Sequence, residues 1–289
     1  MCKNVWLRAV GVGALLFSMV GHAADLRFGV NAPRGPLEAK KWEALAEYMS
    51  AAAGKPIELV PLLAEKIEDA VATGDVDFAL VNPVLAVVVI KKAGAKPLAT
   101  MSTNGATKFA GVIISKSGSG INKATDLKGK RVMGYQFGVS GGAWLFQTNH
   151  VLQAGVKSSE FASFIESKKQ DDIPLSVKAG VVDVGFIRSG VLEAMQKEGK
   201  VSVSDFTIVD EKKDDLKLVH STDLYPEWFM LSSKKTPDDI SEKVKAALLA
   251  LKPDDAAAKN AKIDGFVASI SLDKLEVALK ALKAAPFDN

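Results

Sequence analysis

Cysteine is all but missing. The 289 residues contain one, Cys2, so no internal disulfide can form and the chain must be held by a packed core. Histidine is nearly as scarce at three. Neither His150 nor His220 has a carboxylate or a second histidine at helix spacing, so no metal site is readable and no cofactor is expected. An excess of one charge is absent too: 37 Lys and Arg against 34 Asp and Glu give +3. Binding along a phosphate backbone needs a strong basic face, so no nucleic-acid partner is expected. No apolar run approaches the roughly 20 residues of a bilayer crossing. The longest are Ala9–Val20 and Val84–Ile90, the latter stopped by Lys91 and Lys92. What remains, 48% hydrophobic and 25% charged residues, is the composition of a globular protein and excludes disorder and collagen-like repeats.

The N-terminus has three parts. Lys3 and Arg8 supply positive charge, Ala9–Val20 is apolar, and Gly21-His22-Ala23 ends in small residues. This pattern predicts a cleaved secretory signal over residues 1–23, the apolar run being too short for an anchor. Cys2 precedes the apolar run, whereas a lipid-bearing cysteine would follow a cleavage point, so the exported protein is expected to be unlipidated and free of thiols.

Strand and helix patterns then alternate: Leu26–Val30 as strand, Pro36–Ala53 as helix closed by Gly54, Ile57–Pro61 as strand. Such alternation predicts α/β structure with a mostly parallel sheet covered on both faces. One unit occurs twice. The segment AVATGDVDFALVN, residues 70–82, aligns without a gap with SVKAGVVDVGFIR, residues 176–188. Each reads as a helix end, a glycine, a Val-Asp pair and a short apolar strand, with Gly74 and Gly180 suited to the left-handed turn that stops a helix. The repetition predicts two similar lobes. Ligands of open α/β sheets bind beyond the carboxyl ends of the strands, so Asn82 and Arg188, at equivalent ends, should line one cleft. The alternatives are a turn residue before Pro83 and a solvated helix start.

The second lobe opens with GVIIS at residues 111–115 and continues through a strand at Arg131–Gly134 into a glycine-rich turn. There Ser140, Gly141 and Gly142 introduce an apolar helix. Helix-start N–H groups and one hydroxyl can receive an oxyanion; plain capping by Ser140 and tight glycine packing would account for the same residues. From Phe206 the chain is expected to cross back towards the first lobe, ending in helices over Pro237–Leu251, Asp254–Asn260 and Leu272–Ala284 that pack on it. The five residues centred on Ser140, G-V-S-G-G, match a nucleophile elbow formally, but no acid and histidine pair can be nominated beside it, so an enzyme is not expected.

In order, DLRFGVNAPRGP, GDVDFALVNP, GVIISKSGSGINKATDLKGKRV, VSGGAW and GVVDVGFIRSGVLEA resemble periplasmic solute-binding proteins of the phosphate, phosphite and phosphonate-binding type. The resemblance spans residues 24–289. It implies a type II periplasmic binding fold, two α/β lobes joined by two hinge strands, that closes over a small anion and passes it to an ABC importer. LVNPVLAVVV, LATMS, FIRSGVLEAM and YPEW look closer to the branch shared with sensor-kinase input domains, so a sensor kinase is the alternative partner. Of the serine and threonine cluster of phosphonate binders, Gly138-Val139-Ser140-Gly141 retains one hydroxyl; the positions of their tyrosine and histidine fall near Ala64 and Gln170. The expected organisation is a signal over 1–23, lobe 1 over 24–107, lobe 2 over 108–220, and a return strand with helices over 221–289, acting as a monomer. The expected ligand-binding residues are Asn31, Arg34, Asn82, Tyr135, Gln136, Ser140, Gly141, Gly142, Gln170 and Arg188. If Arg188 pairs with an anion, its removal should abolish ligand-induced stabilisation and leave the ligand-free melting temperature nearly unchanged; a large ligand-free loss would instead make it structural.

Overall fold

Short apolar strands with helices between them can bury both faces only by forming layers, and here two main sheets each lie between layers of helices. The computed structural model describes residues 26–32 and 36–288, so the signal segment 1–23 and Arg34 lie outside the described residues. The strands are β1 (Leu26–Asn31), β2 (Ile57–Leu62), β3 (Phe78–Val81), β4 (Lys96–Ser102), β5 (Lys108–Phe109), β6 (Gly111–Lys116), β7 (Arg131–Tyr135), β8 (Ser163–Ser167), β9 (Val184–Arg188), β10 (Phe206–Ile208), β11 (Tyr225–Pro226), β12 (Phe229–Ser232) and β13 (Gly265–Ala268). One sheet has the order β13-β4-β12-β3-β1-β2 and the other β10-β6-β9-β7-β8. The third, a two-stranded ribbon of β5 and β11, joins them.

The expectation of mostly parallel sheets is corrected. Strands returned by a helix within one lobe are parallel, as in β1–β2, β1–β3, β7–β8 and β7–β9. Strands that arrive from the other lobe are antiparallel: β12 against β3 and β4, β6 against β9 and β10. The cause is geometric, since a chain crossing between lobes enters its new sheet from the cleft side, opposite to the direction of a helical return.

Both faces of each sheet are covered. In β3, Phe78 and Leu80 face the core built on Trp42, Leu45, Met49, Val244 and Leu248, whereas Ala79 and Val81 face Ile67, Val71, Val88 and Val89. The period of two in the side chains thus feeds two cores from a four-residue strand. In β6, Ile113 joins one cluster and Val112 and Ile114 the other. Each such fully buried side chain contributes roughly 1.5–3 kcal/mol, so a disulfide is not needed.

The duplicated unit is duplicated in its bonding. Asp77 Oδ2 accepts from the Arg27 amide at 2.9 Å while the Asp77 amide donates to the Arg27 carbonyl at 2.8 Å. Asp183 does the same to Arg131, at 2.8 and 2.9 Å. Each aspartate therefore locks the start of its strand to the neighbouring parallel strand. Gly74 and Gly180 stand at φ +79° and +75°, where a side chain would be strained.

Two details depart from the sequence reading. The expected helix Pro36–Ala53 is interrupted by a 3₁₀ turn at Lys40–Trp42, which swings buried Trp42 into the core before the helix resumes at Glu43–Ala53. The tail also contains β13, on the edge beside β4, in addition to helices Asp238–Ala250, Ala256–Ala261 and Asp273–Ala281. The last helix does not rest on the first lobe alone: Leu275 and Leu279 pack with Val84 and Val87 of one lobe, Leu145 and Phe146 of the other, and Phe109 and Tyr225 of the joining ribbon. Phe146 stacks on Tyr225 with ring centroids 3.9 Å apart.

Candidate functional site

Above this aromatic floor, between the two sheets, lies a cavity of about 360 Å³. It is lined by Asn31, Asn82, Tyr135, Gln136, Ser140, Gly141, Gly142, Gln170 and Arg188, all expected from sequence, together with Glu38, Phe109, Asp171, Val191 and Trp228. The placement follows from the strands: Asn31 ends β1, Asn82 follows β3, Tyr135 ends β7 and Arg188 ends β9, so the carboxyl ends of both sheets meet here. Arg34 lies outside the described residues.

The two equivalent strand ends do different work. Asn82 is buried and caps helix Pro83–Ala93, its Oδ1 accepting from the amides of Val84 and Leu85 at 3.0 and 3.1 Å. That occupies its oxygen and leaves the amide nitrogen as the donor it can offer the cleft. Arg188 is held from several sides. Its amide donates to Gln170 Oε1 at 3.0 Å, its guanidinium carbon lies 4.3 Å from the centre of the Phe109 ring, and its Nη2 donates to Glu227 Oε1 in an ion pair. The Glu227 side chain is 2% exposed, and burial pushes its carboxyl above the ordinary value while Arg188 pulls it back down. Arg188 thus also neutralises a buried carboxylate, and removing it would strand that charge, which is the structural alternative the sequence left open.

The glycine turn is largely engaged within the protein. Gln136, at φ 48°, turns the chain so that its carbonyl accepts from the amides of Val139 and Ser140 at 3.1 and 2.8 Å. Ser140 is buried and its Oγ accepts from the Ala143 amide at 3.2 Å, which is the capping alternative realised. Its O–H can still donate. Glycine at 141 and 142 is demanded by packing: a Cβ would come within 2.7 Å of the Phe146 ring at the first and of the Phe109 ring at the second. Gly141–Leu145 forms a single wide turn before helix Phe146–Gln153, and Val139 beside it packs against the core of the opposite lobe. Asn31 Oδ1 is buried with no hydrogen-bond partner among the described residues.

Among the described residues no histidine lines the cavity. His150 Nε2 pairs with Asp210 at 2.9 Å and His220 Nε2 with Asp214 at 3.1 Å, where they tie down the chain after β10. Among the described residues no group of three or more His, Cys, Asp or Glu could hold a metal. Glu38, Phe109, Asp171, Val191, Trp228 and Glu227 were not readable as site residues. Only Glu227 carried a signal, an acid between Pro226 and Trp228 in a segment expected to cross between lobes.

A family model described as "ABC transporter, phosphonate, periplasmic substrate-binding protein" matches residues 28–271. The tetrathionate sensor histidine kinase TtrS of Salmonella typhimurium is 26% identical over 254 residues, which covers 85% of this chain and 43% of that protein. The chain therefore spans less than half the length of this relative. Among solved structures, XAC2383 from Xanthomonas citri bound to ATP superposes with a TM-score of 0.75 at 15% identity, covering 90% of this chain and 98% of the other. PhnD1 from Prochlorococcus marinus in complex with methylphosphonate gives 0.69 at 16% identity, with 89% and 98% covered. Two α/β lobes with mixed sheets, a cleft lined by both and the matched span agree: the chain belongs to the phosphonate ABC transporter periplasmic substrate-binding family, whose members bind solutes and are not enzymes.

Proposed function

We propose that this chain captures a small oxyanion between its lobes by hinge closure and delivers it to an ABC importer. The observation that supports this most is the meeting of Asn82 and Arg188, the equivalent ends of a duplicated unit, in one cavity with the Ser140 turn. Donors converge there from both lobes: the Asn82 amide, the Ser140 hydroxyl, Gln136 and the guanidinium of Arg188. A ligand touching both lobes stabilises the closed form by its differential contacts. In this reading residues 1–23 are a cleaved signal, the exported protein is an unlipidated periplasmic monomer, the lobes divide near residues 107 and 220, and Arg34 joins the site from its loop.

The test is thermal unfolding of the chain from residue 24 against phosphate, phosphite, methylphosphonate, sulfate, tetrathionate and arsenate. A ligand at 100 times its Kd should add about 2.7 kcal/mol of stability, and Ser140→Ala should reduce that gain. No stabilisation by any of them would overturn the oxyanion reading.

The likeness to TtrS favours a second reading, in which the filled protein signals to a sensor kinase. Deleting the gene separates the two. Loss of ligand uptake supports delivery to an importer; intact uptake with loss of ligand-dependent kinase phosphorylation supports signalling.

A further inference from the structure

The lining of the cavity mixes two chemistries. Hydrogen-bond donors come from the strand ends and the Ser140 turn, whereas the segments that cross between the lobes contribute aromatic rings: Phe109 of β5, and Trp228 between β11 and β12. Phe109 is already in use. The Arg188 guanidinium lies over its ring at 4.3 Å, the Phe146 ring stands 5.2 Å away, and a Cβ at Gly142 would come within 2.7 Å of it. Trp228 is not. Its backbone is pinned, the carbonyl accepting from the Met101 amide at 2.8 Å, and its side chain packs in part on the first-lobe core. Yet no other ring or cation among the described residues lies on the indole, and its N–H has no hydrogen-bond partner among them.

An indole held in place but left partly uncovered in a cleft forgoes the burial that so large a ring can gain. A ligand with an apolar face recovers that burial, and an inorganic anion has no such face to offer. The space agrees. Val139 of the second lobe packs on the first-lobe core, so the lobes touch, and the volume of about 360 Å³ is not the gap between parted halves. A cavity of that size suits a small organic molecule, and a bare tetrahedral anion fills only part of it. We propose that the ligand is an oxyanion carrying a flat apolar substituent, and that Trp228 is the specificity-determining residue that receives it. The charged head meets the Ser140 turn and Arg188 while the substituent lies on the indole. The proposal rests on the oxyanion reading above and names the class of ligand for that site.

Calorimetric titrations with methylphosphonate and phenylphosphonate, in mildly acidic buffer where both are monoanions, compare one head group without and with a ring. Wild type should bind phenylphosphonate about tenfold or more tighter. In Trp228→Leu that advantage should fall to about threefold or less, phenylphosphonate weakening more than methylphosphonate, whereas Trp228→Phe, which keeps a flat ring, should retain most of it. No advantage in wild type, one that W228L keeps, or one that W228F loses overturns the role of Trp228 and leaves anion capture standing. If wild type binds neither ligand the proposal falls, and anion capture falls with it only when the thermal screen above is also blank. Should W228L not fold, or bind neither ligand, the indole N–H resonances of wild type decide. Phenylphosphonate must then shift the Trp228 signal more than methylphosphonate does, and an equal shift rejects the proposal.

Discussion

The unit ending at Asn82 and the unit ending at Arg188 are alike until their last residue. Both stop a helix on a left-handed glycine, both lock a strand start with an aspartate, and both send a fully buried strand towards the cleft. At the final position one carries a neutral side chain that caps its own helix, the other a cation neutralised by a residue of the joining segment. Scaffold and site are therefore separable within a stretch of a dozen residues. The strand starts hold the lobe together, and the strand ends are where the two lobes acquire different chemistry.

The contrast can be broken most sharply at Arg188. Arg188→Ala should cost about 3–5 kcal/mol in urea unfolding without ligand, because the buried Glu227 carboxylate loses its partner. Adding Glu227→Gln should recover much of that loss. A single variant as stable as wild type would show that the pair does not brace the joining segment.

At the shared end of the unit, Asp183→Ala and Asp77→Ala should each lose about 1.5–3 kcal/mol, the range for hydrogen bonds to a charged group. The Asp183 loss should be the larger, since Arg131 adds an ion pair through its side chain. The hydrogen bond from Arg131 holds the Asp183 carboxyl below its ordinary value. Its contribution is thus complete near neutral pH and disappears as pH falls through that lowered value. The gap between wild type and D183A, followed by unfolding at successively lower pH, should close in acid.

Asn82→Ala should cost about 1 kcal/mol, as the loss of a helix cap does, and Asn82→Asp less because it keeps the accepting oxygen. A loss as large as that of Arg188→Ala would erase the contrast between the strand ends. The smallest effect is expected outside the repeat, at Asp223, where Lys212 first and Lys274 second hold the carboxyl at about 2. These side chains are exposed enough for solvent to weaken the pairs, so Asp223→Asn should change stability by less than about 1 kcal/mol. That difference should be present above the ordinary value of 3.8 and fade as pH falls through about 2, which melting curves of both proteins would reveal.

Much of this was legible because it is written in short-range pattern. Alternating periods located β1, β2, β3, β7 and β9 but not β4, β5, β8 or β13, and the ungapped repeat put Asn82 and Arg188 on one cleft, since equivalent strand ends of facing sheets must converge. Strand direction was not legible. Nothing in the residues of β6 or β12 records that they arrive from the other lobe, and antiparallel pairing follows from that route alone. Nor was the burial of Glu227, whose partner lies on a strand end 39 positions earlier in the chain. The glycines at 141 and 142 show a subtler limit. Their positions in the cleft were readable, but the aromatic rings that require them, Phe146 and Phe109, come from a following helix and a distant crossing.

Helix Asp273–Ala281 leans on a helix of each lobe at once. When one half of the molecule turns against the other, this helix cannot stay in register with both supports; it has to slide or tilt against at least one. If the lobes hinge as proposed, opening and closing of the mouth would be mechanically geared to the outer wall near the chain's end, and full and empty forms would differ at a place the solute never touches.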